Sequence, residues 1–208
     1  AIGLGMGKLG LMDRPKDTPG KQACAAVGQC ELMYLYDNLF SEYSITVAQL
    51  LLTKYILLED RRKNVENALE RLISQGVIPV VNENDTVAID ELELEMGEND
   101  SLAAVVATIA NADLLIIMSD IDGLYDSDPR QNPDAKMIPV VREISEDIHA
   151  VAGGAGTKFG TGGMATKIHA VEIAYESDID VVLMNGQHPK KLYELFEDKP
   201  VGTLFHKG

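Results

Sequence analysis

Four uninterrupted apolar runs, each closing on a small polar cluster, constrain this chain more than any other feature. Val77-Ile78-Pro79-Val80-Val81 leads into Asn82-Glu83-Asn84-Asp85, and Leu114-Leu115-Ile116-Ile117-Met118 leads into Ser119-Asp120. Ile45 to Leu52 closes on Thr53, and Val181-Val182-Leu183-Met184 on Asn185-Gly186. Alternation would describe strands with one wet face. Continuous runs describe strands buried on both faces, the mark of a mostly parallel sheet. Open sheets of that kind bind ligands in the crevice beyond the carboxyl ends of their strands. The polar clusters are therefore expected on one edge of the molecule, and the chemistry with them.

Between the runs the period is helical. Residues 22 to about 42 read as a helix ahead of a strand near 45–52. From Asp60 to Ser74, Val65, Leu69, Leu72 and Ile73 fall on one helical face, and Gln75-Gly76 breaks the pattern. Asp100-Ser101 look like N-terminal capping residues for a helix whose Leu102, Val105, Val106 and Ile109 share a face. A further helix begins near Ala165, with Ile168, Val171 and Tyr175 as its apolar side, and a last one runs from about Pro189 to Phe196. Strand and helix in repeated alternation predict an α/β fold with right-handed crossovers. Two stretches break the rhythm. Glu91 to Met96 alternates charged and apolar residues, as a half-exposed strand in a hairpin with 86–90 would. Tyr125 to Val141 carries Pro129, Pro133 and many Asp and Asn, which reads as a long excursion.

A chain of 208 residues, 46% hydrophobic, suffices for one well-filled domain. Its formal net charge of −15 repels phosphodiester backbones and anionic lipid, so no nucleic acid and no membrane partner is expected. No apolar stretch approaches the roughly 18 residues of a membrane-spanning helix, and the glycine-rich start is unlike a signal peptide. Cys24 and Cys30 lie on one predicted helix. Six residues of helix rise about 9 Å, beyond the roughly 4.4–6.8 Å a disulfide spans. They read as reduced thiols of a cytoplasmic protein.

The strongest chemical signal is Phe159-Gly160-Thr161-Gly162-Gly163-Met164-Ala165-Thr166-Lys167, a glycine-rich loop opening directly into a helix. Glycines admit a close ligand, and the helix N-terminus offers unpaired N–H groups and partial positive charge. Lys167 adds a full charge that can follow a phosphoryl group. The competing reading is a flexible turn with a surface lysine. The spacing is neither a Walker A motif nor a dinucleotide fingerprint. In Asn82-Glu83-Asn84-Asp85, Asp85 suits an ammonium group and Asn82 a carboxylate, although an ordinary Asx-turn has the same composition. Ser119 and Asp120 are placed to touch a nucleotide, with Asp120 or Asp122 ordering it or Mg²⁺. Asp122-Gly123 also reads as a plain turn. The four histidines show no metal-ligand spacing, and His169 reads as a surface residue.

Taken together these segments resemble the amino acid kinase family, and within it the members that phosphorylate the γ-carboxylate of L-glutamate. The likeness is carried by Lys21-Gln22-Ala23 through Ala26-Val27-Gly28-Gln29, Gln49 to Thr53, Pro79 to Asp85, Gly97-Glu98-Asn99-Asp100, Asp122 to Tyr125 with Asp128-Pro129-Arg130, Gly160 to Lys167, and Val201 to Phe205. The resemblance implies a three-layer α/β/α sandwich with a mostly parallel central sheet. It also implies ATP-dependent glutamate phosphorylation, the first step of proline biosynthesis. Glutamate is then held at Asn82, Asp85 and Asn99. Asp100 organises the catalytic lysines, and Lys167 stabilises the transferring phosphoryl group. ATP, carried with Mg²⁺, lies against Ser119, Asp120, Tyr125, Thr161, Gly162, Gly163, Met164, Ala165, Thr166 and Lys167, with no protein-held metal. The same resemblance implies proline as inhibitor, a homodimer or homotetramer, and the next pathway enzyme, glutamate-5-semialdehyde dehydrogenase, as a partner.

Family members open with a lysine-bearing strand, a glycine-rich turn and a second strand ending in Ser-Gly, and the match here begins at Ala1-Ile2-Gly3, just past them. Residues 1–208 are thus expected to form the kinase domain without those N-terminal strands and without the small C-terminal RNA-binding-like domain of many bacterial relatives. Glu98 stands where the family usually has Asp, and Ser119 where it usually has Thr, both mild changes. The kinase half of a bifunctional pyrroline-5-carboxylate synthase shares the chemistry. Acetylglutamate kinase and aspartokinase fit the Asn-Glu-Asn-Asp segment poorly, and a non-catalytic nucleotide-binding module is the rival from another class.

Overall fold

The computed structural model describes residues 1–53, 56, 59–87, 99–153, 163–197 and 199–207. They fall into two compact units, Ala1–Glu95 and Met96–Gly208. The hairpin expected at 86–96 lies almost entirely outside the described residues, as do Thr161 and Gly162 of the glycine-rich loop.

The first unit holds helices α1 (Ile2–Leu9), α2 (Thr18–Ser41) and α3 (Glu59–Ser74) with strands β1 (Val47–Leu52) and β2 (Ile78–Glu83). The two strands pair in parallel, from Val47 opposite Ile78 to Leu52 opposite Glu83, which puts both polar carboxyl ends on the same side. Helix α2 starts four residues earlier than periodicity suggests. Asp17, in extended backbone, accepts a hydrogen bond from Gly20 N at 2.9 Å, and Pro19 sits in the first turn. Both are ordinary N-terminal signals. Helix α1 is not predicted from the sequence at all, because three glycines in eight residues speak against a helix. Packing overrides that local preference. A Cβ on Gly5 would run into the backbone of Cys24, and one on Gly28 into the carbonyl of Ala1, so only glycine lets α1 and α2 approach this closely. Cys24 is buried there and Cys30 exposed, and neither is in a disulfide. In α3 Leu69 is buried, but Ile73 is 53% exposed and leaves the expected face.

The second unit holds α4 (Asn99–Ile109), β3 (Leu114–Ser119), β4 (Val140–Val141), α5 (Glu146–Ala152), α6 (Met164–Tyr175), β5 (Asp180–Asn185), α7 (Lys191–Phe196) and β6 (Thr203–Phe205). Its sheet runs β3-β5-β6-β4 and is parallel except between β5 and β6. Strand β5 is flanked on both sides and shows why a continuous apolar run is informative. Val181 and Leu183 join the core with Ala104 and Ala107 of α4 and Ile168, Ala170, Val171 and Ala174 of α6. Val182 and Met184 point the other way, into a core closed by Leu192 and Leu195 of α7. Helices thus cover both faces of this sheet, giving three layers. Strands β1, β2 and β3 are only half-buried, and Met118 is 43% exposed. Among the described residues each of these has a single paired neighbour, so more of it stays accessible.

Two expectations for helices need correction. Helix α4 begins at Asn99, so Asp100 and Ser101 lie within its first turn and are not caps; its buried face is Ser101, Ala104, Val105, Ala107 and Ile109, with Leu102 and Val106 half-buried. Small residues face inward because α4 packs on the alanine-rich side of α6. Helix α7 begins at Lys191, after a turn through Pro189 and Lys190. Among the described residues no helix is long and apolar enough to cross a membrane.

Candidate active site

The tightest polar grouping joins the first turns of α4 and α6. Lys167 Nζ lies 2.8 Å from Asp100 Oδ2, with the two side chains only 12% and 21% exposed. Thr166 Oγ1 donates to Gly163 O at 2.8 Å and also reaches Asp100 Oδ2 at 3.5 Å. Gly163 caps α6 in extended backbone and has no side chain to offer, so among the described residues no cap side chain accepts from the orphan N–H groups of the first turn. An uncapped helix N-terminus beside a lysine is a site for an anion, phosphate above all. The local sequence produces it directly: glycine before the helix, then a straight-chain lysine one turn in, held in place by an acid in the first turn of the packed neighbour.

A second grouping sits at the carboxyl ends of β3 and β5. Gly186 N donates to Ser119 O at 2.8 Å, which ties the two strand ends together. Ser119 Oγ donates to Asp120 Oδ1, Asn185 Nδ2 to Asp122 Oδ1, and Arg130 lies 3.6 Å from Asp120. Tyr125 is half-buried and bridges to Met137, so the start of the predicted excursion is pinned back onto the unit. Among the described residues no hydrogen bond or ion pair links this group to Asp100, Thr166 and Lys167.

In the first unit, Asn82 lies in β2 and Asp85 in the turn that follows. Asn82 Oδ1 accepts from Glu83 N at 2.9 Å, and its Nδ2 donates to Gln29 Oε1 of α2 at 3.1 Å. Thr86 Oγ1 closes the turn on Asn84 Oδ1, and Val87 N on Asn84 O. The turn is built by Asn84, and the half-buried Asp85 carboxylate has no partner among the described residues. Asn99 is the exposed first residue of α4 in the second unit. Sequence reasoning gave no role to Gln29 or to Thr166 as an acceptor-bridging hydroxyl. The signal for Gln29 was present, since it falls on the buried face of α2 with Cys24, Ala25 and Gly28. Among the described residues no group of three metal-ligating side chains is found; one or two carboxylates plus phosphate oxygens are the donors that Mg²⁺ ordinarily takes.

An Asp-held lysine at a glycine-preceded helix start, on an α/β unit, is an arrangement suited to the phosphoryl group of a phosphotransferase substrate, and comparison supplies the family. The profile of the amino acid kinase family matches residues 3–185, and the chain belongs to that family. It is 51% identical to the glutamate 5-kinase of Clostridium perfringens over 208 residues, covering 99% of this chain and 77% of that protein. It is 47% identical to the glutamate 5-kinase of Enterococcus faecalis, covering all of this chain and 78% of that protein. The glutamate 5-kinase of Caldanaerobacter subterraneus is 51% identical, with 55% of its length covered. Among solved structures, UMP kinase from Ureaplasma parvum superposes with a TM-score of 0.60 at 16% identity, over 97% of this chain and 75% of that one. Isopentenyl phosphate kinase from T. acidophilum gives 0.58 at 19%, over 98% and 78%. At that identity these structures establish the α/β fold alone.

Proposed function

We infer that this chain is the kinase domain of a glutamate 5-kinase, transferring the γ-phosphoryl group of ATP to the γ-carboxylate of L-glutamate at the head of proline biosynthesis. The observation that carries the reading is Lys167, held by Asp100 at the uncapped start of α6. A carboxylate oxygen attacks the γ-phosphorus, the bond to the β,γ-bridging oxygen breaks, and ADP leaves. Such a transfer is mostly positioning and charge neutralisation. Lys167 and the N–H groups of α6 take up the charge that develops on the phosphoryl oxygens. Asp100 holds the ammonium in place until the phosphates arrive. Ser119, Asp120 and Tyr125 line the nucleotide side with residues 161–167, and Mg²⁺ arrives on ATP. Asp85, with no partner of its own among the described residues, takes the substrate ammonium, while Asn82 and Asn99 hold its carboxylates. By the same family reading proline competes with glutamate, the enzyme works in the cytoplasm as a homodimer or homotetramer, and glutamate-5-semialdehyde dehydrogenase receives its labile product.

The test is ADP release by the full-length protein with ATP and Mg²⁺, run with L-glutamate, aspartate and N-acetylglutamate, and with hydroxylamine present to trap the acyl phosphate. Glutamate alone should support turnover and hydroxamate formation. Equal turnover with N-acetylglutamate, which lacks the ammonium that Asp85 is assigned to bind, refutes the reading.

A further inference from the structure

Among the described residues a single buried side-chain polar atom has no hydrogen-bond partner, and it is Gln29 Nε2. Gln29 is 7% exposed, in the middle of α2, on a face otherwise lined by Cys24, Ala25 and Gly28. Its amide cannot be turned over to relieve this. Asn82 Oδ1 is committed to Glu83 N, so Nδ2 is the end of Asn82 that faces Gln29. Only an acceptor answers that donor, so Oε1 must point at Asn82 and Nε2 must point away. A buried donor without a partner lowers stability, and an apolar side chain of equal volume here would not. A polar residue kept on a core face at such a cost points to function.

We propose that Gln29 is a positioning residue for the substrate site: by accepting from Nδ2 it locks the Asn82 carboxamide in the one orientation from which its remaining N–H meets a substrate carboxylate. The proposal rests on the reading of Asn82 as a glutamate contact. Asn82 is then clamped at both ends, by backbone on one side and by α2 on the other, so the β2 terminus presents a fixed donor and no amide that swings freely.

The experiment is a double-mutant cycle in the full-length protein with Gln29→Met and Asn82→Ala, read as glutamate KM, ATP KM, kcat and melting temperature. Gln29→Met removes the orphan donor at nearly constant volume. Its melting temperature should stay close to that of the parent, because removing the orphan donor offsets the bond lost to Asn82, while glutamate KM rises roughly threefold to tenfold, the worth of one neutral hydrogen bond, and ATP KM stays put. In the Asn82→Ala background the same change should add nothing to KM, because its route to the substrate is gone. Failure of Gln29→Met to fold, a lower melting temperature with KM unchanged, or a KM effect that persists without Asn82 overturns the proposal. If Asn82→Ala itself leaves glutamate KM unaltered, the assignment of Asn82 falls first and the role of Gln29 falls with it. If Asn82→Ala raises KM and Gln29→Met does not, Gln29 alone is refuted.

Discussion

Replacing Lys167 by Met keeps most of the buried stem and deletes the ammonium. In the free protein this strands the Asp100 carboxylate, which is 21% exposed. Breaking a fully buried pair costs about 3–5 kcal/mol, and an exposed pair contributes less than about 1. At one-fifth exposure we expect about 2 kcal/mol, which for a chain of this size lowers the melting temperature by about 4–8 °C. Adding Asp100→Asn removes the stranded charge and should restore most of that loss. Kinetics should separate differently. If Lys167 follows the phosphoryl group, Lys167→Met lowers kcat by about 10²–10³ with glutamate KM near that of the parent. The double variant should be no slower than Lys167→Met, since Asp100 acts through the lysine. Asp85→Ala, in contrast, should raise glutamate KM and leave ATP KM alone, because it removes a contact already made in the ground state. Coupled ADP-release assays and thermal melts of the four proteins decide the matter. A Lys167→Met variant altered only in KM, a double variant with multiplied rate losses, or an Asp85→Ala variant weakened toward ATP would refute the roles assigned.

Two further outcomes follow from the packing. The Tyr175 hydroxyl donates to Val141 O at 3.0 Å, and burial, helped by Asp180, pushes its pKa up to about 12. The folded state therefore holds that proton more tightly than the unfolded chain, whose tyrosines titrate near about 10. Its stabilising contribution is intact below about pH 10 and is lost as pH rises from there through about 12; melts across that alkaline range should show a shallower decline in Tyr175→Phe. Gly5→Ala should destabilise the first unit by about 3 kcal/mol or more, because the new methyl overlaps the Cys24 backbone and no side chain can yield. Gly3→Ala, whose Cβ meets nothing, should instead be neutral or stabilising, and urea unfolding of the two variants checks the pair.

What the sequence made legible was whatever one residue's own pattern decides. The apolar runs located β1, β2, β3 and β5, and the glycine loop with Lys167 located the start of α6 to within a residue. What it hid depends on partners far along the chain. Helix α1 forms because Gly5 and Gly28 admit a second helix, a fact invisible in the local composition Gly3-Leu4-Gly5-Met6-Gly7. Strands β4 and β6 hold two and three residues, too short to show a period, and form by pairing, β6 on β5 and β4 on β6, with Thr203 Oγ1 accepting from Leu124 N and donating to Ile138 O beside them. By composition Asp100 looked like a cap; the family resemblance alone tied it to the catalytic lysines, and the packing of α4 on α6 puts it 2.8 Å from Lys167.

The placement of that lysine is itself an argument about ligand. A cation in the first turn of a helix lies at the positive end of the helix dipole and costs about 0.3–1 kcal/mol, while an acid there gains as much. Asp100 in α4 obeys the rule, and Lys167 in α6 breaks it. Asp100 offsets the violation but does not remove it, since among the described residues α6 begins without a side-chain cap for its first N–H groups. An anion seated on those groups turns both faults into attractions at once: it caps the helix and gives the ammonium a second partner. In a chain of net charge −15, whose surface repels ATP and glutamate alike, a helix start with an Asp100-held lysine beside it is where a phosphoryl group can stop.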